Sequence, residues 1–127
     1  MNISKFTQKS VQAVQNLEKV AYEYGNQEIE QEHLLYTLLT QEDSLILKLI
    51  EKMEINKEYF LNTVKNALDA KVKVSGGELR FGQYLNKALV NAEDEAKAMG
   101  DEYVSVEHLF LALLKYPSPS MKKIWSE

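Results

Sequence analysis

Two Glu-His pairs, Glu32-His33 and Glu107-His108, are the residues of this chain whose types are best suited to chemistry, and they contain its only histidines. A carboxylate beside an imidazole can move a proton or hold a metal ion. Each pair also precedes an apolar run, Leu34-Leu35 or Leu109-Phe110, and so fits the first turn of a buried helix. There a carboxylate meets the positive end of the helix dipole and the unpaired amides, while an imidazole ties the helix end to its surroundings. The residues alone leave open a helix-end tie, a metal ligand and an acid–base pair, with the tie the simplest. A shared metal site, or a small metal-dependent hydrolase built on it, requires the two pairs to come within bonding range.

Other signatures are missing. The chain has no phosphate-binding glycine loop, no Gly-x-Gly-x-x-Gly turn, no His-Glu-x-x-His helix and no Gly-x-Ser-x-Gly elbow. It has no cysteine, which removes disulfides, thiol nucleophiles and cysteine-bound metals. No catalytic residue, metal ligand or cofactor is therefore expected for this chain alone.

The elements that must position the two pairs are duplicated. Phe6, Gln8, Ala13, Asn16, Glu18, Ala21, Gly25, Glu32, His33, Leu34, Leu38 and Leu39 recur at a constant offset as Phe81, Gln83, Ala88, Asn91, Glu93, Ala96, Gly100, Glu107, His108, Leu109, Leu113 and Leu114. Twelve identities without a gap make a repeated unit the ready explanation. Repeat one covers 6–68 and repeat two 81–127, which reads as incomplete because Lys57 to Leu68 has no counterpart. Residues 69–80, charged and containing Gly76-Gly77, read as a linker that bridges the units without packing.

Within repeat one, Val11, Val14, Leu17, Val20, Ala21 and Tyr24 follow helical spacing and predict one helix from about Thr7 to Tyr24, stopped at Gly25. Thr7 is its expected N-cap. A short extended link through Ile29 leads to a buried helix over His33–Leu39. A third helix spans Leu45–Met53, and a fourth buries Tyr59, Phe60, Val64 and Leu68, with Asn56 as its cap. Repeat two follows the same plan: Leu85, Leu89, Ala92 and Ala96 face inward, Gly100 ends the long helix, Ser105 caps the buried helix through Leu114, and Pro117 and Pro119 break it. The expected fold is all-α, a pseudo-twofold duplicated repeat of up to eight helices.

With 127 residues, 45% of them hydrophobic, the chain suffices for one self-supporting domain over 1–127. Nineteen acidic and 15 basic residues give a net charge of −4, shared evenly between 1–75 and 76–127. Neither part offers the basic field that nucleic acid needs. No apolar run approaches a membrane span, and the first residues lack the core of a secretion signal, so the expectation is a cytoplasmic protein without a membrane partner. Asp101-Glu102 and Glu93-Asp94-Glu95 suggest an acidic surface on repeat two, beside apolar residues off the buried stripe, Tyr84, Met99 and Tyr103.

The segments Gly25-Asn26-Gln27-Glu28-Ile29-Glu30-Gln31-Glu32-His33-Leu34-Leu35 and Gly100-Asp101-Glu102-Tyr103-Val104-Ser105-Val106-Glu107-His108-Leu109-Phe110 resemble the double Clp repeat, the amino-terminal domain of the Clp ATPase chaperones. Asn26-Gln27, Gln41-Glu42-Asp43 and the run Ala92 to Lys97 resemble most the ClpB-type disaggregase branch. The resemblance implies a substrate-engaging domain attached to ATPase modules that bind ATP and Mg and form a homohexamer, the isolated domain being a monomer. It implies weak binding of unfolded or aggregated polypeptide at Thr7, Asp101 and Glu107, beside a groove on the long helix of repeat two with Leu89 and Tyr103. Asn91 and Glu95 stand there where apolar residues can occur. The alternative it implies is the ClpC/ClpA-type branch, which partners a protease, receives adaptor proteins, and binds phosphoarginine tags at glutamates matching Glu32 and Glu107.

Overall fold

The computed structural model describes residues 3–126. A short 3-10 turn (Ile3–Lys5) leads into α1 (Gln8–Gln15) and α2 (Leu17–Glu23), followed by β1 (Glu28–Ile29), α3 (Gln31–Leu39), α4 (Leu45–Lys52) and α5 (Lys57–Asp69). Then come β2 (Arg80–Phe81), α6 (Gln83–Ala98), α7 (Val106–Lys115) and α8 (Pro119–Trp125). The fold is all-α and pseudo-twofold, as the repeats require. Its boundaries keep the sequence offset: α1 and α2 together match α6, and α3 matches α7.

Local chemistry explains most helix ends. Asn56, Ser44 and Ser118 cap α5, α4 and α8 by accepting from the amides of Tyr59, Leu47 and Met121. Gly25 and Gly100 adopt φ of 71° and 74°, a region that glycine enters without a Cβ clash, and each closes its long helical segment. Pro119 starts α8 rather than only ending what precedes it, because the first helical position needs no amide donor.

The single helix expected over Thr7–Tyr24 is in fact two. Asn16 has φ −80° and ψ −8°, far from the helical ψ near −42°, and this tightened turn separates α1 from α2. Its counterpart Asn91 lies inside the unbroken α6, so asparagine is not sufficient to cause the break.

The two repeats exchange extended segments. Ile29 of repeat one pairs in parallel with Phe81 of repeat two, and Phe6 pairs with Val104, so each repeat lends its leading residues to the other. These pairs are equivalent under the offset, which places the pseudo-twofold axis between them. Helices α3 and α7, buried along nearly their whole lengths, pack together at the centre. Helix α8 is docked by Trp125, whose ring stacks on Phe60 at 5.7 Å and meets Phe110 edge-on at 6.0 Å while its Nε1 donates to the Leu113 carbonyl.

Residues 70–79 depart from an unpacked linker. The Asn26 amide donates to Val72 O, Val74 N–H donates to Gly25 O, and Lys73 Nζ donates to the carbonyls of Tyr24 and Leu68. Lys71 reaches Glu30 at 2.9 Å and Glu32 at 3.3 Å. Glycines and charges fit a solvated strap, yet here Lys71, Lys73 and the Val74 amide supply donors that finish the open ends of repeat one. Leu79 packs against the core, and Arg80 belongs to β2.

Candidate functional site

Both histidines are buried at the third position of their helices and are held in the same way. The Glu30 amide donates to His33 Nδ1 at 2.9 Å, and the Ser105 amide donates to His108 Nδ1 at 2.9 Å. An amide can only donate, so each Nδ1 is the unprotonated nitrogen and Nε2 carries the hydrogen. That hydrogen is donated to Asn26 Oδ1 at 3.0 Å in repeat one and to Asp101 Oδ2 at 2.8 Å in repeat two. Each imidazole therefore ties the start of its central helix to the loop after the glycine, seven residues upstream. Neither ring keeps a free lone pair for a metal or a reacting proton. Among the described residues, no three His, Cys, Asp or Glu side chains gather in a way that could hold a metal ion.

Burial, and secondarily the Lys71 ammonium, pushes the His33 pKa down from 6.5 to about 4. Because the unfolded chain takes up the proton first as pH falls, His33 contributes full stability above pH 6.5, and that contribution is lost between pH 6.5 and 4. Between pH 7 and pH 5 the loss amounts to about 2 kcal/mol. Urea unfolding across that range should show it, and His33→Gln should flatten the dependence. An equal slope in the variant would assign the pH response elsewhere.

The paired glutamates do not share an environment. Glu32 is 1% exposed and lies beneath Lys71. Glu107 is exposed and forms no hydrogen bond or ion pair among the described residues. It lines a groove of about 390 Å³ with Thr7, Gln8, Lys9, Gln41, Leu45 and Val106, where the start of α1, the start of α4 and the first turn of α7 converge. Leu45 and Val106 supply the apolar part. Thr7 caps α1 through Ser10 at 3.3 Å, and its own amide donates to Val104 O at 3.0 Å, which fixes the groove at the crossing between repeats. The groove wall is stitched from the other side by Gln41 Nε2 to Lys9 O and Lys9 Nζ to Glu42 O.

Thr7 and Glu107 are thus brought together, along with Gln8, Lys9 and Leu45, which pattern reasoning did not single out. Gln8 carried one signal, its exact recurrence as Gln83. Asp101 is engaged with His108, and Tyr103, 48% exposed, stands next to the Val104 bridge outside the groove. Leu89 is a correction: it is 1% exposed and packed in the core, because α6 turns that stripe inward against α7. Glu95 also leaves the expected acidic surface, since it is buried and bonded to Lys115 at 2.8 Å and to the Tyr116 hydroxyl at 3.2 Å. The Lys115 hydrogen bond holds its carboxyl below the usual range.

A duplicated helical unit with exchanged leading segments, His-tied central helices and a groove at the crossing defines a Clp-repeat domain, and residues 5–127 match the model of the Clp repeat (R) N-terminal domain. The chain belongs to that family. Its relatives include chaperone protein ClpB of Nitratidesulfovibrio vulgaris, 38% identical over 95% of this chain and 15% of the relative, and chaperone protein ClpB of Porphyromonas gingivalis, 40% identical over 90% and 13%. The chain thus spans about one seventh of the length of these relatives. The Hsp104 N-terminal domain from Candida albicans shares the fold at a TM-score of 0.85 and 22% identity, covering 96% of this chain and 80% of that one. A ClpV N-domain in complex with a VipB peptide does so at 0.75 and 19% identity, covering 98% and 79%. No helix among the described residues is long and apolar enough to cross a membrane.

Proposed function

We propose that this domain engages unfolded or aggregated polypeptide for a ClpB-type chaperone, holding segments weakly in the Thr7–Glu107 groove. One observation carries the reading: an apolar floor at Leu45 and Val106 lies beside the unpaired Glu107 carboxylate at the junction of the two repeats. Apolar contact is tolerant of sequence, and one free charge adds preference without demanding a motif. The ClpV N-domain seen with a peptide supports polypeptide as the class of partner. Asp101 and Tyr103 flank the approach, and their contribution belongs to the proposal. ATP and Mg chemistry, hexamer formation and the work on clients belong to modules beyond this chain, which by itself is a monomeric, cofactor-free binding unit of the cytoplasm.

A client that must be passed on has to leave, so the expected dissociation constant is about 10–100 μM, or roughly −7 to −5.5 kcal/mol. Titration with a permanently unfolded model protein tests this; nanomolar affinity, or none at millimolar concentration, rejects it. Glu107→Gln should weaken the interaction about 3- to 10-fold with an unchanged melting temperature, since Glu107 supports no other group. An affinity equal to that of the unmodified domain would move the site elsewhere.

The second reading is a tag or adaptor receptor using Glu32 and Glu107. The presence of both carboxylates at equivalent positions favours it, while the cover of Lys71 over Glu32 weighs against two equal sites. Calorimetry with free phosphoarginine separates the readings, because a polypeptide groove predicts no saturable binding.

A further inference from the structure

Helix α1 and its C-cap carry Gln8, Gln12 and Asn16, all exposed and four residues apart, so their amides stand in one row along the helix surface. None of these side chains forms a hydrogen bond among the described residues. The row lines one wall of a cleft of about 300 Å³, and Thr40, Gln41 and Glu42 line the other, with no apolar side chain among the lining residues. Lys9 spends its ammonium on the Glu42 carbonyl at 2.9 Å, and Gln41 Nε2 donates to the Lys9 carbonyl at 2.8 Å. The links that already cross the cleft thus run from side chains to main-chain carbonyls. Gln8, Lys9 and Gln41 also wall the Thr7–Glu107 groove, so cleft and groove adjoin along α1.

A carboxamide donates and accepts without carrying charge, which matches a peptide group better than an ion. Amides four residues apart on a helix are separated by about 6 Å along its axis. An extended chain turns a peptide group toward the same edge at every second residue, about 6.7 Å apart. Over the whole row the two spacings diverge by roughly 1.5 Å, within reach of a glutamine side chain. In repeat two the same positions hold Gln83, Lys87 and Asn91, and the Lys87 ammonium lies 5.7 Å over the Tyr84 ring, so the middle rung is a charge engaged elsewhere. We propose that Gln8, Gln12 and Asn16 form a carboxamide ladder for the main chain of an extended polypeptide. One edge of the bound strand lies on the row while the adjoining segment sits in the Thr7–Glu107 groove. The ladder reads backbone rather than side chains, so it adds hold without adding a sequence motif. This inference rests on the polypeptide reading and adds the course of the chain, along α1 toward Asn16.

The probe is a fluorescein-labelled twelve-residue peptide of leucine, serine and asparagine, followed by anisotropy. It is made with an unmodified backbone and in two forms N-methylated at every second residue, one form for each edge of the strand. Gln12→Ala/Asn16→Ala should bind the unmodified peptide about 3- to 10-fold more weakly at an unchanged melting temperature, since neither side chain supports another group. One methylated form, and not the other, should lose a similar factor on the unaltered domain and lose nothing further on the double variant. Methylation removes the amide hydrogens that the row accepts and leaves every side chain in place. Should the double variant melt lower, the two methylated forms on the unaltered domain decide alone. Binding that weakens with Glu107→Gln but not with Gln12→Ala/Asn16→Ala, or that both methylated forms keep or lose equally, overturns the ladder and leaves the polypeptide reading standing. No binding of the unmodified peptide by the unaltered domain ends both.

Discussion

Replacing Gln31 by leucine is expected to destabilise the domain by about 3–5 kcal/mol, more than any single surface substitution. Gln31 is fully buried at the start of α3, and all of its amide is engaged. Nε2 donates to the carbonyls of Tyr84 and Tyr116, both at 3.1 Å, and Oε1 accepts from the Ser118 amide at 2.9 Å. One side chain of repeat one thereby satisfies three backbone groups of repeat two, at the start of α6 and at the turn between α7 and α8. Leucine has similar volume but leaves the Tyr116 carbonyl and the Ser118 amide without these partners in the interior, at roughly 1–3 kcal/mol each before relaxation, while the Tyr84 carbonyl keeps only its bond within α6. Thermal or urea unfolding measures the loss. The fluorescence of Trp125, the only tryptophan, should change in the folded baseline as well, because α8 is anchored through Ser118. A loss below about 1 kcal/mol would show that water replaces the clamp readily.

The second large effect concerns charge. Lys71→Met should cost about 3 kcal/mol, since Glu32 would remain buried with no counter-ion. Lys71 itself is only 13% exposed, so solvent screens the pair little. The expected signature is non-additivity: Lys71→Met/Glu32→Gln should be more stable than Lys71→Met alone, because the uncompensated charge disappears with the carboxylate. Urea denaturation of the unaltered domain, both single variants and the double variant closes the cycle. A double variant less stable than Lys71→Met would mean that Lys71 acts through Glu30 or through packing.

These two residues also mark where pattern reading stops. The duplication, the central helices, the stops at Gly25 and Gly100, and the caps at Thr7 and Asn56 were legible because each depends on spacing or on side chains reaching amides within one turn. The ties of His33 and His108 were legible as a class for the same reason, since both partners lie within seven residues. The partners of Gln31 lie 53 to 87 residues away, and Lys71 reaches back 41 residues to Glu30. No local period encodes such distances. Glu95 was misplaced on the surface because a helix face is assigned by what packs against it, and Lys115 and Tyr116 at the end of α7 cover that part of α6.

The amino-acid order by itself therefore determined a doubled helical unit, its turns, its lack of thiol and phosphate-loop chemistry, and the identity of the two Glu-His pairs. Only the tertiary structure decided that one glutamate is buried under the strap while the other opens onto a groove. Short-range hydrogen bonds and apolar periodicity are properties of neighbouring residues, whereas burial and charge pairing arise when distant segments close on each other. The symmetry of the pairs came from the chain, and its breaking came from the way the strap closes over Glu32 while Glu107 stays exposed.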